Sequence, residues 1–139
     1  MLRRTLVLTL MLCAAALAVL SSPAAARNVE LLRGTVRPLS HSASGTAAVV
    51  STGSGRRVLT LRSFRLDPGP RVRVWLVPRS AQGDGQLPKD RVDLGKLKGT
   101  RGNQQYTIPK SVDLRKYSSV VFWCVPFTSG LARADLRRS

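Results

Sequence analysis

Short apolar runs separated by glycine and proline limit this chain to a β fold. The runs at residues 56–64 (RRVLTLRSF) and 71–77 (RVRVWLV) alternate apolar with polar side chains, which is the period of a half-buried strand. The stretches TGSG (52–55) and LDPGP (66–70) supply turn residues beside them. After the N-terminal apolar run, no segment carries a helical stripe. Strands with turn signals about every 8–12 residues predict one antiparallel β-sandwich or a small barrel, with short strands joined by Gly/Pro turns.

Further strands are expected at 45–51, as two extended pieces within 92–109, and at 130–136, the last as an edge strand. The stretch VVFWCVPF (120–127) is apolar on both faces, so we expect a central strand that is covered on both sides. Alternation places Val120, Phe122 and Cys124 on one face, and Val121, Trp123, Val125 and Phe127 on the other.

The N-terminus reads as a cleavable export signal. Arg3 and Arg4 precede an apolar run (5–20), and Ala24 and Ala26 occupy the small-residue positions of a signal-peptidase site. We expect cleavage after Ala26, a periplasmic or secreted location, and no membrane span in the mature chain; an uncleaved N-terminal anchor is the alternative. The expected organisation is a signal peptide (1–26), an N-terminal segment (27–40), one β domain (41–136) and a polar tail (137–139).

The chain is strongly basic. It has 23 Lys and Arg residues against 7 Asp and Glu, a formal net charge of +16. This balance favours anionic partners such as an envelope polymer. The alternative is that the charge only keeps the protein soluble, because the basic residues are spread along the chain and do not form a run. The segment GKLKGTRGNQQ (95–105) lacks the spacing of a phosphate-binding loop, and we expect no nucleic-acid partner.

Removal of the signal, which contains Cys13, leaves one cysteine, Cys124, and one histidine, His41. This inventory is too small for a structural zinc or blue-copper site within a monomer, and it excludes an intramolecular disulfide. No nucleophile-elbow motif is present, and we do not expect an enzyme that acts on its own. Cys124 is either a buried, inert residue or a functional thiol: a redox group, half of an intermolecular disulfide, or a ligand to a prosthetic group such as haem. His41 is a candidate second ligand or thiol partner.

Trp75 shares its strand face with Arg71 and Arg73. A tryptophan on a polar face is a candidate anchor for a glycan, an anionic polymer or a partner protein. The alternative is that Trp75 packs on the arginine stems or beneath a loop.

Residues from His41 onwards resemble a known family, the DM-thirteen domain, a small extracellular all-β domain found alone or beside DOMON domains. The likeness covers about 41–136. It is carried by His41, Gly45, Leu59, Phe64, Gly69-Pro70 and the VWL segment (74–76), and by Leu94-Gly95, Leu97-Lys98-Gly99, Gly102, Gln104 or Gln105, Tyr106, Pro109, Tyr117 and Trp123-Cys124.

This resemblance implies a DOMON-like sandwich and an electron-transfer role centred on the family's cysteine, which corresponds to Cys124. The redox group would be a bare thiol or a bound group such as haem, with Cys124, His41 and the neighbouring Trp123 as candidate contacts. The segment FTSGLA (127–132) departs from the aromatic-glycine step expected after the cysteine strand. We expect no attached DOMON domain, so the resemblance implies that any electron partner is a separate redox or envelope protein.

Overall fold

The computed structural model describes residues 27–81 and 88–139. The expected export signal lies outside these residues. The described chain is all-β and forms two antiparallel five-stranded sheets packed face to face, which confirms the predicted sandwich. The strands are β1 (Val29–Thr35), β2 (Arg37–Pro38), β3 (Ala43–Ser51), β4 (Arg57–Leu66), β5 (Val72–Val77), β6 (Val92–Lys96), β7 (Arg101–Ile108), β8 (Ser119–Cys124), β9 (Ser129–Asp135) and β10 (Arg137–Arg138).

The first sheet has the order β10-β1-β3-β4-β7, and the second has the order β2-β9-β8-β5-β6. Two of the crossings between the sheets are single-residue corners, at Val36 between β1 and β2 and at Leu136 between β9 and β10. Both corner side chains are buried. At the crossing, a methyl group on Gly34 would lie 2.2 Å from the Asp135 carbonyl oxygen, so only glycine fits there.

Both ends of the described region, which starts at residue 27 and ends at residue 139, belong to the sandwich. Residues 29–35, which we expected to precede the domain, form β1 and pair with β3 along their whole length. Arg137 and Arg138, expected in a polar tail, form β10 and pair with β1. The expected edge strand at the C-terminus is β9, which lies between β8 and the two-residue β2. The edge strands next to β9 and β1 are β2 and β10, which have two residues each and are too short to show an apolar period in the sequence.

Strand β8 is central in its sheet, between β5 and β9, and all six of its residues are buried, as predicted. Val120, Phe122 and Cys124 face the core between the sheets. Val121 and Trp123 lie on the opposite face, in a smaller cluster with Trp75 and Val77.

Candidate functional site

Cys124 is the last residue of β8, opposite Val72 of β5 and Ser129 of β9. Its side chain belongs to the core between the sheets, beside Val72 and Leu131, and it is 1% exposed. The thiol therefore lies inside the sandwich, but at the end of a strand, where the core meets a turn.

A short turn over residues 69–71 closes the core above this thiol, and we call it the covering turn. The Cys124 thiol donates a hydrogen bond to the Pro70 carbonyl oxygen, with Sγ and O 3.2 Å apart. A methyl group on Gly69 would lie 3.0 Å from Leu131 Cδ1 and 3.9 Å from Cys124 Sγ. Gly69, which is partly exposed, therefore lies beside Leu131 and the sulfur with backbone atoms alone.

Two non-glycine residues beside Cys124 have left-handed backbones. Arg71 and Thr128 both have φ of 46°. This conformation is unfavourable for any residue with a Cβ, and especially for a β-branched one such as threonine. The two are linked through Val125, whose N–H donates to the Arg71 carbonyl oxygen and whose carbonyl oxygen accepts from the Thr128 N–H, both at 3.3 Å. Backbone strain of this kind often accompanies functional sites.

The apolar residues that follow Cys124 are exposed. We expected the strand to continue to residue 127, but β8 ends at Cys124 and residues 125–128 form a turn. Val125 is 42% exposed and Phe127 is 72% exposed. Apolar surface therefore lies on the chain immediately after the buried thiol.

A cavity of about 460 Å³ opens beside the covering turn. Its apolar wall includes Val72, Leu97 and Val125, and its basic residues are Arg71, Arg73 and Lys96. Arg73 donates to both carboxylate oxygens of Asp93, with the shortest contact 2.9 Å. Burial raises the pKa of Asp93, but hydrogen bonds from Arg73 and the Gly95 N–H outweigh it, so this pKa lies below its usual value.

His41 lies at the same end of the sandwich as Cys124. The backbone N–H of His41 donates to the Leu131 carbonyl oxygen at 3.1 Å, and the imidazole Nδ1 lies 3.2 Å from the Ser40 hydroxyl oxygen. Ser40 in turn donates to the Gly130 carbonyl oxygen and contacts the hydroxyl of Ser129, the residue paired with Cys124. His41 and Cys124 therefore lie on opposite sides of β9, and the Cys124 thiol donates to Pro70 rather than to the imidazole.

The two tryptophans lie on the other side of the second sheet from the thiol. Trp75 and Trp123 stack with their ring centroids 5.2 Å apart, and the Arg91 guanidinium lies 4.5 Å from the Trp75 ring centroid. Trp75 is 4% exposed and Trp123 is 1% exposed. The expected surface anchor at Trp75 is therefore buried, and Trp123 points away from Cys124 because neighbouring residues of a strand face opposite sides.

The residues present do not fit haem ligated by this cysteine. A haem iron needs a ligand atom that faces the haem cavity, whereas Cys124 does not line the cavity beside it and its sulfur is held beneath the covering turn. Within residues 27–81 and 88–139 there is no cluster of three or more His, Cys, Asp or Glu side chains placed to bind a metal ion. The same residues include no helix that is long and apolar enough to cross a membrane.

Sequence reasoning missed three features of this region: the strain at Arg71 and Thr128, the covering role of the Gly69-Pro70 turn, and the basic residue Lys96 beside the arginines. The LDPGP stretch did signal a turn. Its position over Cys124 depends on contacts between β5, β8 and β9, which no local pattern encodes.

Comparison with known proteins adds one finding. A family model described as "Electron transfer DM13" matches residues 35–136. No curated protein and no solved structure shows significant similarity to the chain.

Proposed function

Since the chain belongs to the DM13 electron-transfer family, we propose that it is an exported redox module whose reactive group is the Cys124 thiol. The observation that carries this proposal is the thinness of the cover over the sulfur. Cys124 lies at a strand end under a glycine backbone, and the cover includes a residue held at a strained φ. Such a turn can open without unfolding the sheets, because local openings need far less free energy than global unfolding.

The chemistry that suits a single thiol is exchange with the disulfide of a partner. The Cys124 thiolate, having released its proton to water, attacks one sulfur of the partner disulfide. A bond forms between Cys124 Sγ and that sulfur, the partner's S–S bond breaks, and the second sulfur leaves with the electron pair and takes up a proton. Cys124 is oxidised to a mixed disulfide, and the partner's leaving sulfur is reduced to a thiol.

The surface around Cys124 suits a protein partner. Val125 and Phe127 offer apolar contact, and Arg71 adds a positive charge to the covering turn. Apolar side chains next to a charged rim are typical of transient interfaces. The export signal expected at residues 1–26 would deliver the protein to an oxidising compartment, where disulfide partners are available.

The proposal is tested by equilibrating the native protein with a glutathione redox buffer and measuring intact mass. We expect one glutathione adduct on the native protein and none on Cys124→Ser. An adduct that forms only in denaturant would overturn the proposal. A disulfide-linked dimer on a non-reducing gel in place of the adduct would indicate self-pairing instead.

An absorption spectrum of the same sample, purified without reductant, separates a bare thiol from a bound group. We expect no visible absorption. A Soret band that disappears in Cys124→Ser would make the residue a haem ligand and contradict the bare-thiol proposal.

A further inference from the structure

The thiol-exchange step itself does not use the cavity of about 460 Å³ beside the covering turn, although Arg71 and Val125 line the cavity and also belong to the proposed partner surface. The cavity lies where β5 and β6 meet the segment that leads into β7. Val72, Leu97 and Val125 give it an apolar wall, and Gly99 and Thr100 complete the side towards β7. Its volume falls within the range of about 300–1,000 Å³ that small-molecule sites occupy.

Like charges face each other at this cavity. Arg73 of β5 is paired directly with Lys96 of β6, and like charges in that position destabilise a sheet. Asp93 relieves only Arg73, to which it is hydrogen bonded through both carboxylate oxygens. Arg71 and Lys96 form no ion pair with any carboxylate of the described residues. Two uncompensated cations therefore border an apolar cavity.

We propose that this cavity binds a small molecule with an anionic group at one end of an apolar body. The anion lies between Arg71 and Lys96, where it offsets both positive charges. The apolar body lies against Val72, Leu97 and Val125. A ligand with both parts is selected over a simple anion, which gains nothing from the wall, and over a neutral hydrocarbon, which leaves the cations uncompensated.

The direct test uses two fluorescent probes that share one aromatic framework. 1-Anilinonaphthalene-8-sulfonate carries the anion, and N-phenyl-1-naphthylamine lacks it. We expect saturable binding of the sulfonate at one site per chain, by fluorescence titration and equilibrium dialysis, and weaker binding of the neutral probe. Because each exposed charge contributes modestly, Arg71→Gln and Lys96→Gln should each weaken sulfonate binding about twofold to fivefold.

Arg56→Gln is the matched control, since it removes one exposed charge from the β3–β4 turn and Arg56 does not line this cavity. Its sulfonate affinity should equal that of the unaltered protein. Leu97→Asn should weaken binding of both probes, because it alters the apolar wall. Urea unfolding of each variant confirms that it is folded.

Three results would overturn the proposal: no saturable binding, equal affinity for the two probes, or equal loss of affinity in Arg56→Gln and Lys96→Gln. The last would indicate general attraction to a basic surface. The test does not involve the Cys124 thiol, so its failure would leave the proposed redox role untouched.

Discussion

Replacement of Arg133 by methionine tests how the face of the second sheet opposite the thiol is held together. Arg133 lies on β9 and its residue surface is 5% exposed. Its guanidinium donates to the carbonyl oxygens of Arg79 and Ala81 at 3.0 and 2.6 Å, and to the Ser119 hydroxyl at 3.2 Å. It also donates twice to Asp135 Oδ1, at 3.0 and 2.8 Å. This side chain fastens residues 79–81, the start of the loop that follows β5, beside the stacked tryptophans.

The expected loss follows from these contacts. A hydrogen bond to a charged group contributes about 1.5–3 kcal/mol, so four acceptors would together contribute about 6–12 kcal/mol. The loss is smaller because the Asp135 side chain is 28% exposed and the freed loop carbonyls can turn towards water. We therefore expect Arg133→Met to lower the free energy of unfolding by about 3 kcal/mol, the lower end for breaking a buried ion pair.

Urea unfolding followed by tryptophan fluorescence measures this loss. With a slope of about 1–3 kcal/mol per molar urea, the midpoint should fall by about 1–3 M. Arg133→Lys keeps the charge without the forked geometry and should give an intermediate value. Arg56→Met, at an exposed position, should change stability by less than about 0.5 kcal/mol. A loss below about 1 kcal/mol in Arg133→Met would refute this account of how the loop is held.

Three further predictions concern the turns and the acid range. Gly45→Ala should lower the free energy of unfolding by about 2–4 kcal/mol, because Gly45 has a φ of 116° and the added methyl would lie 2.8 Å from Phe64 Cα. In Gly55→Ala the added methyl has no atom within 4 Å, so only the strain of the positive φ, about 1 kcal/mol, should be lost. Equal losses in the two variants would contradict the packing argument. Thr128→Gly should stabilise by about 1 kcal/mol by relieving the strained φ; a lower thermal midpoint would refute this. Burial raises the pKa of Asp135, but hydrogen bonds from Ser119 and Arg133 outweigh burial and lower this pKa overall. The free energy of unfolding should therefore be constant above about pH 4 and decrease as the pH falls further. The decrease should be smaller in Asp135→Asn, which has no carboxylate at this position.

The strand pattern was largely readable from the sequence. Alternation in 71–77 and the apolar run beginning at Val120 predicted the two faces of β5 and β8, and the structure confirms both. Alternation works here because one residue in two must face the core between the sheets. It could not give the order of the strands, which depends on pairing between distant segments such as β1 with β10.

The environment of individual side chains was harder to predict. Trp75 shares a face with Arg73, as expected, yet it is buried, because Trp123 and Arg91 cover it. Which loop covers a strand face is decided by contacts far apart in sequence. The same limit applies to Cys124: the sequence placed it on the core face, but the covering turn and the position of His41 across β9 arise from packing at one end of the sandwich.

The most direct test of the central claim is the rate at which the native protein reacts with a small thiol reagent. This rate is measured at a series of urea concentrations below the unfolding transition. The Cys124 thiol is 1% exposed, so it must react through an opened state. If the covering turn opens locally, the rate should be measurable in water and nearly independent of urea, because little surface is exposed. A rate that is negligible in water and rises with urea along the global unfolding slope would show that Cys124 is reached only by unfolding, and would contradict a redox role for this thiol.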